Sequence, residues 1–251
     1  MFPDALILAG GMGTRLQSAL PETPKVLAPV NGKPFIRYLL DQLRDAGARR
    51  TIISTGFRAE QVRDELGDRY EGMALVYSQE ESPLGTGGAL RHALPLLQPG
   101  LVLAMNGDSF TNADLRAYHE WHCARTRQAS VLLAEVEDAA RYGTVQADEH
   151  DNVTSFREKE GQQKPGWINA GIYLFPRTWI EEMPATAPRS LEREVLPQWT
   201  QKGLGAYRAA AEFIDIGTPE TWEGAGLFFE RLGASRSLKN SQSTGGMSTG
   251  S

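Results

Sequence analysis

The sequence predicts an α/β protein with a mostly parallel mixed sheet flanked by helices. Short apolar runs of strand length recur through the first half, at residues 5–9, 51–54, 75–77 and 101–105. Amphipathic stretches separate them, and strands joined through helices pair in parallel. A glycine-rich turn at Gly10, Gly11 and Gly13 follows the first run directly.

Each element has a local reason. Residues 34–46 carry Phe35, Ile36, Leu39, Leu40 and Leu43 on one helical face, with Pro34 at the start and Gly47 just beyond the end. Residues 58–66, 86–94 and 113–123 read as the next helices. After about Gln128 the pattern changes to strands at 130–135, 144–146, 153–156 and 170–175. Residues 218–232, with Trp222, Leu227 and Phe228, read as a closing helix. Residues 240–251 hold no charged or aromatic side chain, so they lack the apolar surface that offsets ordering entropy. The whole of 233–251 is expected to be a flexible tail.

Composition narrows the function classes. With 251 residues, 41% of them hydrophobic, the chain is long enough for one sizeable α/β domain. A formal net charge of -5 gives no general attraction to nucleic acid or an anionic membrane, so neither is expected as a partner. Cys123 is the single cysteine, which excludes a disulfide within the chain and a thiolate metal cluster. The apolar run at 5–9 is too short for a membrane anchor and lacks the flanks of a signal peptide. A cytoplasmic protein is expected, with assembly into a homo-oligomer left open.

The turn after the first strand reads Leu8-Ala9-Gly10-Gly11-Met12-Gly13-Thr14-Arg15-Leu16. Its glycines let backbone amides approach phosphate without side-chain obstruction, and Arg15 adds a charged fork. A dinucleotide fingerprint would want glycine where Leu16 stands, and a Walker loop would want Lys then Ser or Thr after the last glycine. The turn is therefore a phosphate binder of another kind. Downstream, the prolines of Pro21-Glu22-Thr23-Pro24-Lys25 hold the chain extended and fix the direction of Lys25.

The glycine loop with Arg15, followed by Pro24-Lys25, resembles the signature of the sugar-nucleotide pyrophosphorylases, the sugar-1-phosphate nucleotidyltransferases. The resemblance continues through the stretch from Glu80 to Gly88, then Asn106-Gly107-Asp108, Phe156-Arg157-Glu158-Lys159, Asn169-Ala170-Gly171 and Phe213-Ile214-Asp215. It implies a Rossmann-like domain over 1–232, with a nucleotide-binding half at about 1–110 and a sugar-binding half at about 111–232. Within the family the pattern is most similar to D-glycero-α-D-manno-heptose 1-phosphate guanylyltransferases, and mannose 1-phosphate guanylyltransferases share many of the same residues.

In the implied reaction a sugar 1-phosphate oxygen attacks the α-phosphorus of a nucleoside triphosphate and pyrophosphate leaves. The nucleophile is already ionised, so the task is to align two polyanions and neutralise charge. His92, His119, His122 and His150 fall outside the motifs, as suits a reaction without an imidazole base. The resemblance gives the catalytic set Arg15, Lys25, Asp108, Lys159 and Asp215. Arg15 would meet the triphosphate, Lys25 the α-phosphate and Lys159 the sugar phosphate. Asp108 and Asp215 would share one Mg²⁺ with phosphate oxygens. The nucleotide would lie against Leu8, Ala9, Gly10, Gly11, Gly13, Thr14, Arg15, Glu80, Pro83, Gly85, Thr86, Gly107 and Asp108. An ionised carboxylate only accepts hydrogen bonds, and guanine alone presents two adjacent donors on its pairing edge, so Glu80 favours GTP. Tyr142, Gly143, Glu158, Lys159 and Asn169 would meet the sugar 1-phosphate.

Two other classes fit parts of the sequence. A non-catalytic nucleotide-sugar-binding subunit would share the fold, but the whole catalytic set is retained here. A glycosyltransferase would account for the acidic motif but not for the loop with Arg15 and Lys25.

Overall fold

The computed structural model describes residues 1–125, 128–157, 164–185 and 188–244, with the backbone alone for 157 and 235–244. The first half contains β1 (Asp4–Ala9), β2 (Pro29–Val30), β3 (Lys33–Pro34), α1 (Phe35–Ala46), β4 (Arg50–Thr55), α2 (Ala59–Leu66), β5 (Arg69–Tyr70), β6 (Met73–Gln79), α3 (Gly85–His92) and β7 (Leu101–Asn106). The second half contains β8 (Ser109–Thr111), α4 (Leu115–Ala124), β9 (Ala129–Val136), β10 (Thr144–Ala147), β11 (Val153–Arg157), β12 (Gly166–Pro176), α5 (Arg177–Glu181), α6 (Leu196–Thr200), β13 (Leu204–Ala209), β14 (Phe213–Asp215) and α7 (Pro219–Thr244).

The main sheet has the order β11-β10-β12-β7-β1-β4-β6-β5, with β9 beside β12 and β13 beside β9. The α/β expectation holds: β7, β1, β4 and β6 run parallel, and β12 joins β7 in the antiparallel sense. β1 alternates between two cores. Ala5 and Ile7 pack with Phe35, Leu39, Leu40 and Leu43 of α1, while Leu6 and Leu8 pack on the other face with Leu90 of α3 and Trp199 of α6. α1 ends as its sequence specifies, at Gly47 in the left-handed region with φ 99°.

The chain moves from β1 outward to β4 and β6, then returns to lay β7 on the other side of β1. That reversal opens a crevice beyond the carboxyl ends of β1 and β7, where open α/β sheets receive ligands. β12 brings the second half to the same place. It pairs with β9 along one side and with β7 and β10 on the other, and its register slips between Asn169 and Ile172 around Gly171, φ 74°.

Two features depart from expectation. α7 runs past Leu232 to Thr244, so 233–244 is helical rather than a flexible coil; the segment has no proline and contains the good helix formers Ala234, Arg236, Leu238 and Lys239. Sequence pattern offered no warning of α5, α6 or the π-helical turn Leu191–Val195, each too short to show a helical period, or of β13, where Gly205 and Arg208 interrupt the apolar run. Among the described residues no helix is long and apolar enough to cross a membrane. Cys123 is a free, exposed thiol.

Candidate functional site

The loop after β1 closes on itself where its glycines end. Gly13 O accepts from Leu16 N at 2.9 Å and Gln17 N at 3.0 Å, and the buried Leu16 anchors the turn. Leu8 and Ala9 supply the strand end, Gly10 and Gly11 the exit, and Thr14 and Arg15 stand exposed beyond it. Among the described residues no acidic group pairs with Arg15.

Lys25 is brought back onto this loop. Pro24 is extended, with ψ 134°, and the following turn sends the Lys25 stem across Gly13, whose Cβ position lies 3.0 Å from Lys25 Cβ. The ammonium reaches Asp108 Oδ2 at 2.7 Å, with the lysine side chain 12% and the aspartate side chain 45% exposed.

Asp108 itself is placed by close backbone packing. Gly107 N donates to Leu8 O at 2.9 Å, and a Cβ at Gly107 would lie 2.8 Å from that oxygen and 3.3 Å from Ala9 Cα. Only glycine allows this approach of the β7 end to the β1 end. The chain then forms β8, which pairs antiparallel with β14 so that Ser109 faces Asp215, and Ile216 N donates to Asp108 O at 2.9 Å. Carboxylates far apart in sequence thereby become neighbours. The Cβ position of Gly217 lies 2.6 Å from Asp215 Oδ1 and 3.7 Å from Lys25 Nζ, so the ammonium and both carboxylates share one small space. Among the described residues no group of three or more His, Cys, Asp or Glu could hold a metal ion.

Tyr142, expected at the sugar 1-phosphate, reaches this cluster. Its hydroxyl donates to Asp215 Oδ2 at 2.6 Å, and Gly217 N donates to Asp215 Oδ1 at 2.7 Å. Burial first, and the Asp215 carboxylate second, push the phenol well above its ordinary pKa, which keeps it a donor. Gly143 follows it into β10. Asn169 turns inward: its amide donates to Tyr173 Oη at 2.8 Å and its oxygen accepts from Gly171 N at 2.9 Å, bracing the slip in β12. Glu158 and Lys159 lie outside the described residues.

The loop beyond β6 shows another use of its glycines. Glu80, 7% exposed, accepts from Ser54 Oγ at 3.0 Å and from Leu84 N at 3.0 Å, holding the turn through Pro83. Its Cδ lies 3.0 Å from the Cβ position of Gly10, so the carboxylate underlies the phosphate loop instead of standing at an open edge. Gly85, φ 69°, packs against the backbone of Arg189, with its Cβ position 2.5 Å from Arg189 O. That same oxygen accepts from Gly87 N at 2.9 Å. Gly85, expected against the nucleotide, thus has the Arg189 backbone packed on it as well. Thr86 Oγ donates to Glu192 Oε2 at 2.7 Å and accepts from Leu191 N at 2.8 Å. Sequence reasoning missed Arg189 and Glu192. The available signal was Ser190 with Glu194, a capping pair one residue wider than the usual box, which the π turn accommodates: Ser190 Oγ accepts from Arg193 N, and Glu194 Oε1 from Ser190 N.

Gly85→Ala is expected to lower Tm by about 5 °C, because a side chain at positive φ and against a backbone carbonyl costs on the order of 1–3 kcal/mol. Differential scanning calorimetry of the variant checks this.

Comparison with known proteins agrees with the geometry. The nucleotidyl transferase family model matches residues 4–230. The chain is 35% identical over 223 residues to a D-glycero-alpha-D-manno-heptose 1-phosphate guanylyltransferase of Aneurinibacillus thermoaerophilus, covering 88% of this chain and 96% of that one. It is 35% identical over 221 residues to a mannose-1-phosphate guanylyltransferase of Mycobacterium tuberculosis, covering 86% of this chain and 62% of that one. The crystal structure of HddC from Yersinia pseudotuberculosis complexed with GMP-PN superposes with a TM-score of 0.81 at 34% identity, covering 91% of this chain and all of that one. With the glycine loop, Lys25 and the acidic pair gathered at the reversal of the sheet, the chain belongs to the nucleotidyl transferase family.

Proposed function

We propose that the protein transfers a guanylyl group from GTP to D-glycero-α-D-manno-heptose 1-phosphate, releasing pyrophosphate and forming a GDP-sugar in the cytoplasm. The observation that carries this reading is the Lys25–Asp108 pair beside Asp215, directly over the glycine loop. A phosphate oxygen of the sugar 1-phosphate forms the new bond to the α-phosphorus. The bond to the bridging oxygen breaks, and pyrophosphate leaves with that electron pair. No proton has to be removed from the nucleophile, so the side chains act by position and charge. Arg15 and the loop amides hold the triphosphate, Lys25 neutralises the α-phosphate, and Lys159 holds the sugar phosphate.

The donor set fits Mg²⁺: two adjacent carboxylates of one or two oxygens each, too few to enclose an ion alone, match a cation that is completed by phosphate oxygens and water. Asp108 and Asp215 would hold it, and when bound it supplies positive charge to the reacting phosphates. Tyr142 and Gly217 N fix the orientation of Asp215 for that task. Glu80 accepts two hydrogen bonds in a carboxylate with about four acceptor sites, which leaves capacity for the donors of guanine. Tyr142, Gly143, Glu158 and Asn169 would meet the sugar. The guanylyltransferase names of the relatives support GTP; the mycobacterial relative favours mannose 1-phosphate as the second reading for the sugar.

Pyrophosphate release measured across GTP, ATP, CTP, UTP and dTTP with heptose, mannose and glucose 1-phosphates tests both choices. GTP with heptose 1-phosphate is expected to give the highest kcat/KM. A clear winner with another base removes the Glu80 argument, and one with mannose moves the reading to the second sugar.

A further inference from the structure

One carboxylate at the crevice has no part in the scheme above. Glu192 stands on the π-helical turn Leu191–Val195, an irregularity that recurs at functional sites. Its oxygens are used unequally. Oε2 accepts from Thr86 Oγ at 2.7 Å and Ser190 Oγ at 3.1 Å, so it is fixed by two hydroxyl donors. Among the described residues Oε1 has only Asn106 Nδ2, at 3.5 Å, the outer limit of a hydrogen bond. Asn106 Oδ1 is buried and has no partner among the described residues. Two neighbouring acceptors therefore stand short of donors, and a buried unpaired acceptor carries a desolvation cost that a ligand donor relieves.

The location selects the ligand. Glu80 lies on the β4 side of β1, against Ser54, whereas Glu192 lies on the β7 side, against Asn106 at the end of β7. The Asn106 amide in turn abuts Gly171, whose Cβ position is 2.8 Å from Nδ2, on the strand that also carries Asn169. This is the side on which the second half meets the crevice, one residue before Gly107 and Asp108. A ligand rich in hydroxyl donors fits such an acceptor pair, and a sugar 1-phosphate is one.

We infer that Glu192, with Asn106 Oδ1 beside it, is a specificity-determining residue that accepts hydrogen bonds from hydroxyls of the sugar 1-phosphate, and that Thr86 and Ser190 position it. The inference rests on the sugar-1-phosphate reading given above. It has a sharp chemical test, because Glu192→Gln keeps an oxygen for the two pinning hydroxyls and turns the ligand-facing acceptor into an amide donor.

Steady-state kinetics of Glu192→Gln should show KM for the sugar 1-phosphate raised about 10- to 100-fold, with KM for GTP changed less than about twofold, since a site built to pair a hydroxyl discriminates strongly when that pairing is lost. Thr86→Val, which loosens the pin but keeps the carboxylate, should raise the same constant by a smaller factor. Monodeoxy sugar 1-phosphates add a second measurement: removal of the contacted hydroxyl should penalise the native enzyme and not Glu192→Gln. An unchanged sugar KM in Glu192→Gln, or an equal rise in the GTP constant, overturns the inference alone. If Glu192→Gln does not fold, the deoxy series on Thr86→Val decides, and an unaltered penalty at every hydroxyl overturns it. A native enzyme inactive with every sugar 1-phosphate overturns the functional reading and this inference together.

Discussion

Replacing Lys25 by methionine is expected to lower turnover about 10²- to 10³-fold, the scale of losing one charge-stabilising group from a preorganised site. Methionine keeps the apolar stem that lies over Gly13 and removes only the ammonium. Two effects then act in one direction. The α-phosphate loses its countercharge, and Asp108 and Asp215 face each other and an incoming polyanion with nothing between them. The lysine side chain is 12% exposed, so water cannot replace the lost charge at full strength. Lys25→Arg is expected to rescue little, because a planar fork does not fit a space shaped for a compact ammonium 2.7 Å from Oδ2. Pyrophosphate release gives the rate, and circular dichroism separates it from misfolding.

Asp108→Asn is expected to keep the fold and remove most Mg²⁺-dependent turnover, by about 10²- to 10⁴-fold. The amide is nearly isosteric and can still accept from Lys25. The backbone features that place it, Gly107 N on Leu8 O and Ile216 N on Asp108 O, do not involve the side chain. What disappears is one of two negative charges in a site with no third acidic ligand among the described residues. Mg²⁺ titration of pyrophosphate release measures this, and near-normal rates at ordinary Mg²⁺ concentrations would remove Asp108 from the metal assignment.

Much of the architecture was legible because it is periodic. α1 announced itself by its apolar face and by Pro34 and Gly47, and the parallel strands by apolar runs separated by helices. The grouping of Lys25, Asp108 and Asp215 was reachable only through resemblance, since β8 and β14 are three-residue strands that leave no pattern. Other roles depend on where a hydroxyl or a bare Cα points in three dimensions, which spacing does not encode. Tyr142 was expected at the sugar, and its hydrogen bond to Asp215 leaves no trace in the spacing. Gly85 was expected against the nucleotide, and the approach of Arg189 O to it and to Gly87 was not foreseeable from spacing. Glu192 sits in a segment with no motif, and its Ser190–Glu194 cap is offset by the π turn from the spacing a reader would scan for.

The ladder joining β8 to β14 has three register pairs, ending at Ser109 opposite Asp215. The chain leaves this ladder at Asn112 and comes back to it at Glu212, where Asn112 N donates to Glu212 O at 3.3 Å. That ladder is not the sole attachment of the second half: β12 pairs with β7 over five register pairs, and Trp199 shares a core with Leu6 and Leu8 of β1. A chimaera cut at 111 and 213 therefore has to keep the β7–β12 pairing and the shared core for the grafted half to seat.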